Sequence, residues 1–136
     1  MKKLFYHSYS PLAFNLATLI LRVGLGILMI PNHGWAKLSH FAEKKEKFMD
    51  FMGLGSTVSL GLATFAEFFC SILLILGLFT RLATIPLIVT VLVILNVHKW
   101  QFFGEHELVP AFLIGYVAIL LLGPGKFSLD AKISKR

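Results

Sequence analysis

The sequence predicts an all-α protein: an integral membrane four-helix bundle with a short interfacial amphipathic helix between its first and second helices. One observation is composition, since 57% of the 136 residues are hydrophobic, 15% are charged and the mean hydropathy is +0.79, which is unusual for a soluble domain. The other is the spacing of the apolar segments, each near the ~17–25 residues that a spanning helix needs. We therefore predict one domain over residues 1–136, with spans at about 12–32, 57–79, 82–99 and 108–124.

The first predicted span carries local signals at both ends. Ser10 suits the N-cap of a helix, and Pro11 suits the first helical position, where its missing N–H is harmless. Pro31 is expected to kink or terminate the helix just before Asn32 and His33. The polar residues that follow should then lie at a membrane interface.

The stretch after the first span has an amphipathic pattern. Phe41, Phe48 and Met52 fall on one helical face of residues 39–52, while charged residues occupy the other. A helix lying in the plane of the membrane fits this pattern. A soluble helix packed on the end of the bundle fits it equally well.

The later spans are joined by short connections. Residues 77–81 lead directly from the second span into the third, so these two helices should be antiparallel neighbours. Pro86 falls in about the first turn of the third span, where it does little damage. The run Gly123-Pro124-Gly125 is a stop signal for the fourth.

Basic residues favour one orientation in the membrane. With four spans, seven Lys and Arg residues fall on the side of the termini and five on the other, so both termini should be cytoplasmic in the bacterial inner membrane. The net charge of +6 therefore reflects topology, and we expect the lipid bilayer rather than nucleic acid as the partner. The single cysteine, Cys70, excludes a disulfide or a multi-cysteine metal site within one chain.

Two charges stand alone inside apolar segments. Arg22 is the only formal charge in residues 12–32, and Glu67 is the only one in residues 51–80. Each lies ten residues from the start of its span, which places both near the membrane midplane at ~1.5 Å of rise per residue. Since lone intramembrane charges are expensive, we predict an Arg22–Glu67 ion pair, serving either chemistry or helix register.

Further polar residues accompany this predicted pair. Asn96 and Tyr116 are candidate interior groups on the third and fourth spans, and several histidines fall on the side opposite the termini. Those histidines fit four alternatives: a metal site, bis-histidine haem ligation, tolerance of the headgroup zone, or acid–base handling of a membrane-soluble substrate. No haem, flavin or metal motif is evident. The histidines concerned are His33, His40, His98 and His106.

These residues resemble a known family. The order Arg22, then His33-Gly34 with Lys37, then Glu67, then Gly77-Leu78-Phe79-Thr80-Arg81 is similar to that of the DoxX family of small four-helix membrane proteins. The resemblance covers residues from about 15 to 123. It implies a quinone-linked redox role, in which this chain is a subunit of a membrane oxidoreductase assembly rather than a complete enzyme.

A hypothesis for the site follows from this resemblance. A quinone would bind between the first two spans, with Glu67 as proton donor or acceptor, Arg22 supporting it, and His33 or Lys37 bonded to a ligand carbonyl. His98, Asn96 and Tyr116 are further candidate ligand-binding residues. Electrons would come from a partner membrane or periplasmic redox protein, and a homo-oligomer is compatible with the same pattern. The alternative is a non-catalytic scaffold, or a small carrier of a lipid-like or organic solute.

Overall fold

The computed structural model describes residue 4, residues 7–105 and residues 107–135, and every regular element in that part of the chain is helical. Lys2, Lys3 and Arg136, three of the seven basic residues that favour the predicted orientation, lie outside the described residues, as does His106. The helices are α1 (Pro11–Ser39), α2 (Phe41–Lys44), α3 (Ser56–Leu76), α4 (Thr80–Val97), α5 (Leu108–Leu122) and α6 (Leu129–Ser134).

Three of these helices are long and apolar enough to cross a membrane, namely α1, α3 and α4, and α5 is a shorter apolar helix. They pack around an interior of Leu, Val, Phe and Tyr side chains that includes Leu74, Leu87, Phe112 and Tyr116. Large apolar side chains also cover the outside of the bundle, as a helix surrounded by lipid requires. The prediction of an all-helical membrane bundle is confirmed.

Helix α1 begins as predicted and ends later. The Ser10 side chain accepts a hydrogen bond from Ala13 N at 3.0 Å, which confirms the predicted N-cap. The helix does not terminate at Pro31, because a π-helical segment, Ile30–Gly34, accommodates the missing N–H and the helix then continues to Ser39. A second π-helical segment, Phe65–Cys70, interrupts α3.

The amphipathic helix between α1 and α3 is shorter than the sequence pattern predicts. Only α2 is helical, and the chain from residue 45 to residue 55 forms turns and irregular structure. Two side-chain contacts hold this loop: Asp50 accepts a hydrogen bond from Gly55 N, and Ser59 accepts one from Phe51 N. These local bonds compete with helix formation and fold the loop over the start of α3.

The α3–α4 turn is closed by a glycine in the left-handed region. Gly77 has φ +71°, and Leu78 N donates to Leu73 O in the pattern of a Schellman motif. Helix α4 then begins at Thr80, two residues earlier than the sequence predicts, because the Asp130 carboxylate accepts from Phe79 N and Thr80 N. Pro86 consequently lies in the second turn of α4 rather than the first.

The two ends of the bundle differ in what covers them. We call the end that holds Pro11, the 77–79 turn and residues 123–130 the terminal end. We call the end that holds residues 40–55 and 98–105 the loop end. Helix α1 extends beyond α3 at the terminal end. Arg22 lies eleven residues after Pro11, yet it bonds carbonyls in the last turn of α3.

Candidate functional site

Helices α1 and α3 are in backbone contact where their two π-helical segments meet. A Cβ atom placed on Gly34 would lie 2.7 Å from Glu67 O and 2.8 Å from Phe68 Cα. Only glycine permits this approach, as at small-residue contacts between membrane helices. The contact fixes Glu67 at the level of Gly34, so that Lys37, one turn further along α1, reaches its carboxylate.

Lys37 and Glu67 form a buried ion pair. The distance from Lys37 Nζ to Glu67 Oε2 is 2.6 Å, and the Glu67 side chain is fully buried whereas that of Lys37 is 18% exposed. Neither oxygen of the Glu67 carboxylate accepts a hydrogen bond from the described residues, so the Lys37 contact at Oε2 is an ion pair by distance. The carboxylate therefore faces a positive charge at Oε2 and retains an unused acceptor at Oε1.

The predicted Arg22–Glu67 pair is wrong. Arg22 instead donates from Nη2 to Phe127 O at 2.5 Å and from Nη1 to Leu74 O at 3.2 Å and Ile75 O at 3.4 Å. The prediction assumed that the first two spans begin and end at equal depths. Since α1 extends past α3 at the terminal end, the α1 residue level with Glu67 is Gly34, about 18 Å along the helix from Arg22 at 1.5 Å per residue.

His33 and Tyr116 border the ion pair on the side of α5. The His33 ring meets Phe112 edge-on at a centroid distance of 6.2 Å, and Phe112 stacks on Tyr116 at 5.8 Å. His33 lies within electrostatic range of both Glu67 and Lys37, and Tyr116 lies within range of Glu67. Three of the predicted site residues, Lys37, His33 and Tyr116, thus lie around the carboxylate of a fourth, Glu67.

An apolar cleft of about 440 Å³ opens on the other side of the ion pair, between α3 and α4. Lys37 and Glu67 lie in its wall, and the loop that contains Phe48 and Phe51 closes it toward the loop end. This cleft does not lie between the first two spans, where a ligand site was predicted, because α1 and α3 touch there through their backbones at Gly34. Further lining residues come from α3 and α4, among them Ser59, Ala63, Pro86, Thr90 and Val93.

The remaining predicted site residues divide between this cleft and other places. His98 lines the cleft. Asn96 is exposed on another face of α4, in a second depression with Met52 and Trp100. Within the described ranges no three His, Cys, Asp or Glu side chains are grouped as metal ligands.

Several residues that shape the site were not predicted to do so, although Gly34 and Pro86 were named from the sequence for other reasons. Gly34 and Gly26 are eight residues apart on α1, and both closely approach α3. Small residues at helical spacing were therefore the sequence signal for this helix–helix contact. Pro86 and Thr90 line the cleft. A proline inside an apolar span was the sequence signal for this face of α4. Nothing in the pattern indicated that the 48–51 loop would cover the cleft.

Arg22 belongs to a separate polar cluster at the terminal end. Burial alone would raise the pKa of Asp130, but hydrogen bonds from Thr80 and Phe79 and the charge of Arg22 lower it below its ordinary value. Asp130 N also donates to Gly77 O at 2.9 Å. The cluster therefore attaches α6 to the α3–α4 turn.

A pH dependence follows from this lowered pKa. Asp130 should contribute stability that is fully present above about 3.9, its unfolded pKa, and is lost as the pH falls through the lower folded value. Thermal unfolding of the purified protein between about pH 6 and about pH 2.5 would measure this, with Asp130→Asn as comparison. We expect the variant to be less stable than the native protein near neutrality and to lose less on acidification; parallel pH profiles would contradict the role of Asp130.

Comparison with known proteins places this geometry in a family context. The family model described as DoxX matches residues 17–100, a range that includes Lys37 and Glu67. An uncharacterized membrane protein of Mycobacterium tuberculosis is 30% identical, with an alignment that covers 73% of this chain and 77% of the relative. No solved structure matches the chain.

Proposed function

The chain belongs to the DoxX family and is an integral membrane protein, and from this premise we propose that it is a quinone-binding subunit of a membrane oxidoreductase assembly. The observation that carries the proposal is the Lys37–Glu67 pair in the wall of an otherwise apolar cleft between two spanning helices. A mostly apolar pocket with a few fixed polar groups is the usual form of a small-molecule site. The cleft volume of about 440 Å³ lies in the range of such sites.

The edges of the cleft suit a ligand that arrives from the membrane. Leu62, Phe65, Ile85 and Val89 line the cleft and are each about half exposed on the outside of the bundle. An amphipathic ligand could place its ring at the ion pair and leave an apolar tail among these side chains and the surrounding lipid. A quinone has this form, whereas a water-soluble substrate would have to cross the apolar edge.

The polar groups have distinct roles in this proposal. Lys37 donates a hydrogen bond to a ring oxygen of the ligand, and Glu67 exchanges a proton with the bound head group. His33, half-buried and within electrostatic range of Glu67, is placed to pass protons toward the loop end. Arg22 takes no direct part, because its guanidinium bonds carbonyls at the terminal end.

Electrons would be exchanged with a partner redox protein at the loop end. Phe103 is 91% exposed and Met52 is 83% exposed there, which leaves apolar contact surface beyond the bundle itself. The excess of basic residues on the side of the termini supports a cytoplasmic position for both termini and an inner-membrane location. The loop end would then face the periplasm.

Filling the cleft tests the proposal directly. Ala63 lines the cleft, so Ala63→Phe should weaken binding of decylubiquinone by about tenfold or more, because the added ring occupies the space of the ligand. Ala111→Phe is a matched control, since Ala111 is exposed on α5 and lines neither cleft nor depression. Binding would be measured by titration calorimetry of the protein in lipid nanodiscs.

The control variant should retain the native affinity. Equal binding by both variants would place the quinone elsewhere on the protein. Failure of the native protein to bind decylubiquinone at all would contradict the proposed function and favour the scaffold or carrier alternative.

A further inference from the structure

We propose that Glu67 makes the cleft selective for a head group that donates a hydrogen bond, so that the reduced, hydroxyl-bearing form of the ligand binds more tightly than the oxidised form. The inference deepens the proposed function and depends on it. It concerns which redox form of the ligand the cleft binds more tightly. It therefore also concerns the direction in which the protein shifts the reduction potential of the bound quinone–hydroquinone couple.

The first step is the state of the Glu67 carboxylate. Its Oε2 lies 2.6 Å from Lys37 Nζ, which is the geometry of a carboxylate–ammonium ion pair. An ionised carboxylate only accepts hydrogen bonds. Its Oε1 is fully buried and accepts none from the residues that the structure describes.

The second step is that neither hydroxyl in the wall of the cleft supplies this bond. Ser59 Oγ donates to Gly55 O at 2.6 Å, and Thr90 Oγ1 donates to Pro86 O at 2.8 Å. Each hydroxyl proton is therefore engaged within its own helix. A ligand in the cleft can supply a donor for Glu67 Oε1; the Tyr116 hydroxyl, which is also buried without a partner among the described residues, lies outside the cleft wall.

The third step compares the two forms of the ligand. A hydroquinone oxygen can donate its proton to Glu67 Oε1 and accept from Lys37 Nζ at the same time. A quinone carbonyl can only accept, so it satisfies Lys37 and leaves Oε1 buried without a donor. Leaving a buried acceptor unpaired is enough to weaken binding by about tenfold or more.

This selectivity has a consequence for the redox couple. Tighter binding of the reduced form raises the reduction potential of the bound couple, by about 30 mV for each tenfold difference in affinity of a two-electron couple. The bound head group is therefore easier to reduce than the same molecule free in the membrane. The site would hold the ligand mainly as hydroquinone.

The test compares three probes of nearly the same shape on the native protein in nanodiscs without oxygen: decylubiquinone, its hydroquinone, and the dimethyl ether of the hydroquinone, which lacks O–H donors. We expect the hydroquinone to bind at least about tenfold more tightly than the other two. Equal affinities for all three would overturn the inference and leave the proposed function standing. Absence of binding by all three would overturn the proposed function itself.

Two variants separate Glu67 from the rest of the cleft. Glu67→Gln places an amide with its own donor at this position, so the difference between the redox forms should fall to less than about threefold. Thr84→Val removes a buried hydroxyl of α4 that does not line the cleft and that already donates to Thr80 O at 2.6 Å, so this variant should keep the native ratio. An unchanged ratio in Glu67→Gln would overturn the inference; if this variant does not fold, the dimethyl ether comparison on the native protein still decides it.

Discussion

Replacement of Gly34 by alanine is expected to destabilise the bundle by about 1–3 kcal/mol, the usual effect of forcing extra volume into a packed interior. The added methyl group would lie 2.7 Å from Glu67 O and 2.8 Å from both Glu67 C and Phe68 Cα. All three atoms belong to the backbone of α3, so no side-chain rotation relieves the clash. The two helices must separate where their π-helical segments meet.

Gly24→Ala is the matched control for this variant. Gly24 lies on the same helix, and a Cβ atom there would meet no atom of the described chain within 4 Å. Because alanine is favoured over glycine in a helix interior by about 0.5–1 kcal/mol, Gly24→Ala should be neutral or slightly stabilising. Thermal unfolding of the two variants beside the native protein measures the difference, and similar midpoints would show that α1 and α3 are not in contact at Gly34.

Loss of this contact should also expose Lys37. In the native protein its side chain is 18% exposed and its Nζ contacts Glu67 Oε2. Labelling with an amine-reactive reagent, followed by mass spectrometry of the peptide that contains Lys37, should be faster in Gly34→Ala and unchanged in Gly24→Ala. The same native labelling rate in both variants would mean that the ion pair survives without the close contact.

The number of apolar helices and several of their ends could be predicted because they depend on local physics. Hydropathy over a window of span length reports the cost of burying backbone and side chains in lipid, and that cost depends on the segment alone. The Ser10 cap is equally local, since its partner is Ala13. The family resemblance was carried by short motifs within these segments and is confirmed.

The pairing of charges could not be predicted because it depends on the relative axial positions of two helices. Counting residues from the helix ends assumed that Leu12 and the 77–79 turn lie at one depth, whereas α1 extends past α3. Axial position is fixed by the contact of Gly34 with the backbone of α3 and by the bonds of Arg22 to Leu74 and Phe127. The latter join residues 52 and 105 positions apart, which no periodicity in the sequence reveals.

The same contrast between local signals and helix packing explains which features of the site could be predicted from the sequence and which could not. Glu67, Lys37, His33 and Tyr116 stand out as polar residues in apolar surroundings, so they could be named before their neighbours were known. The cleft is a property of packing, because it forms where Pro86 and Thr90 on α4 face α3 under the 48–51 loop. Its position therefore required the structure.

Arg22 is expected to be the most consequential charged residue for stability. Arg22→Met should destabilise the protein by at least about 3 kcal/mol, since a hydrogen bond to a charged group contributes about 1.5–3 kcal/mol and Arg22 makes three. Leu74 O and Ile75 O lie in the last turn of α3, and Leu74 O also accepts from Gly77 N at 3.1 Å. The guanidinium adds a charged donor to both carbonyls and compensates the negative end of the helix. Phe127 O belongs to the segment that precedes α6.

The loss of stability in Arg22→Met should first release the C-terminal segment from α3, before the helical bundle itself unfolds. Lys126 N is held by Asn15 Oδ1 at 2.9 Å, next to the Arg22–Phe127 bond. Release of this segment should speed tryptic cleavage after Lys126 in Arg22→Met, measured as the rate at which the C-terminal peptide appears.

Arg81→Met is the matched control, because Arg81 is exposed and donates a single bond to Leu120 O, so its loss should cost less than about 1 kcal/mol. Equal cleavage rates in the two variants would show that Arg22 does not fasten the C-terminal segment to α3, and that the charge at this position serves some other part of the molecule.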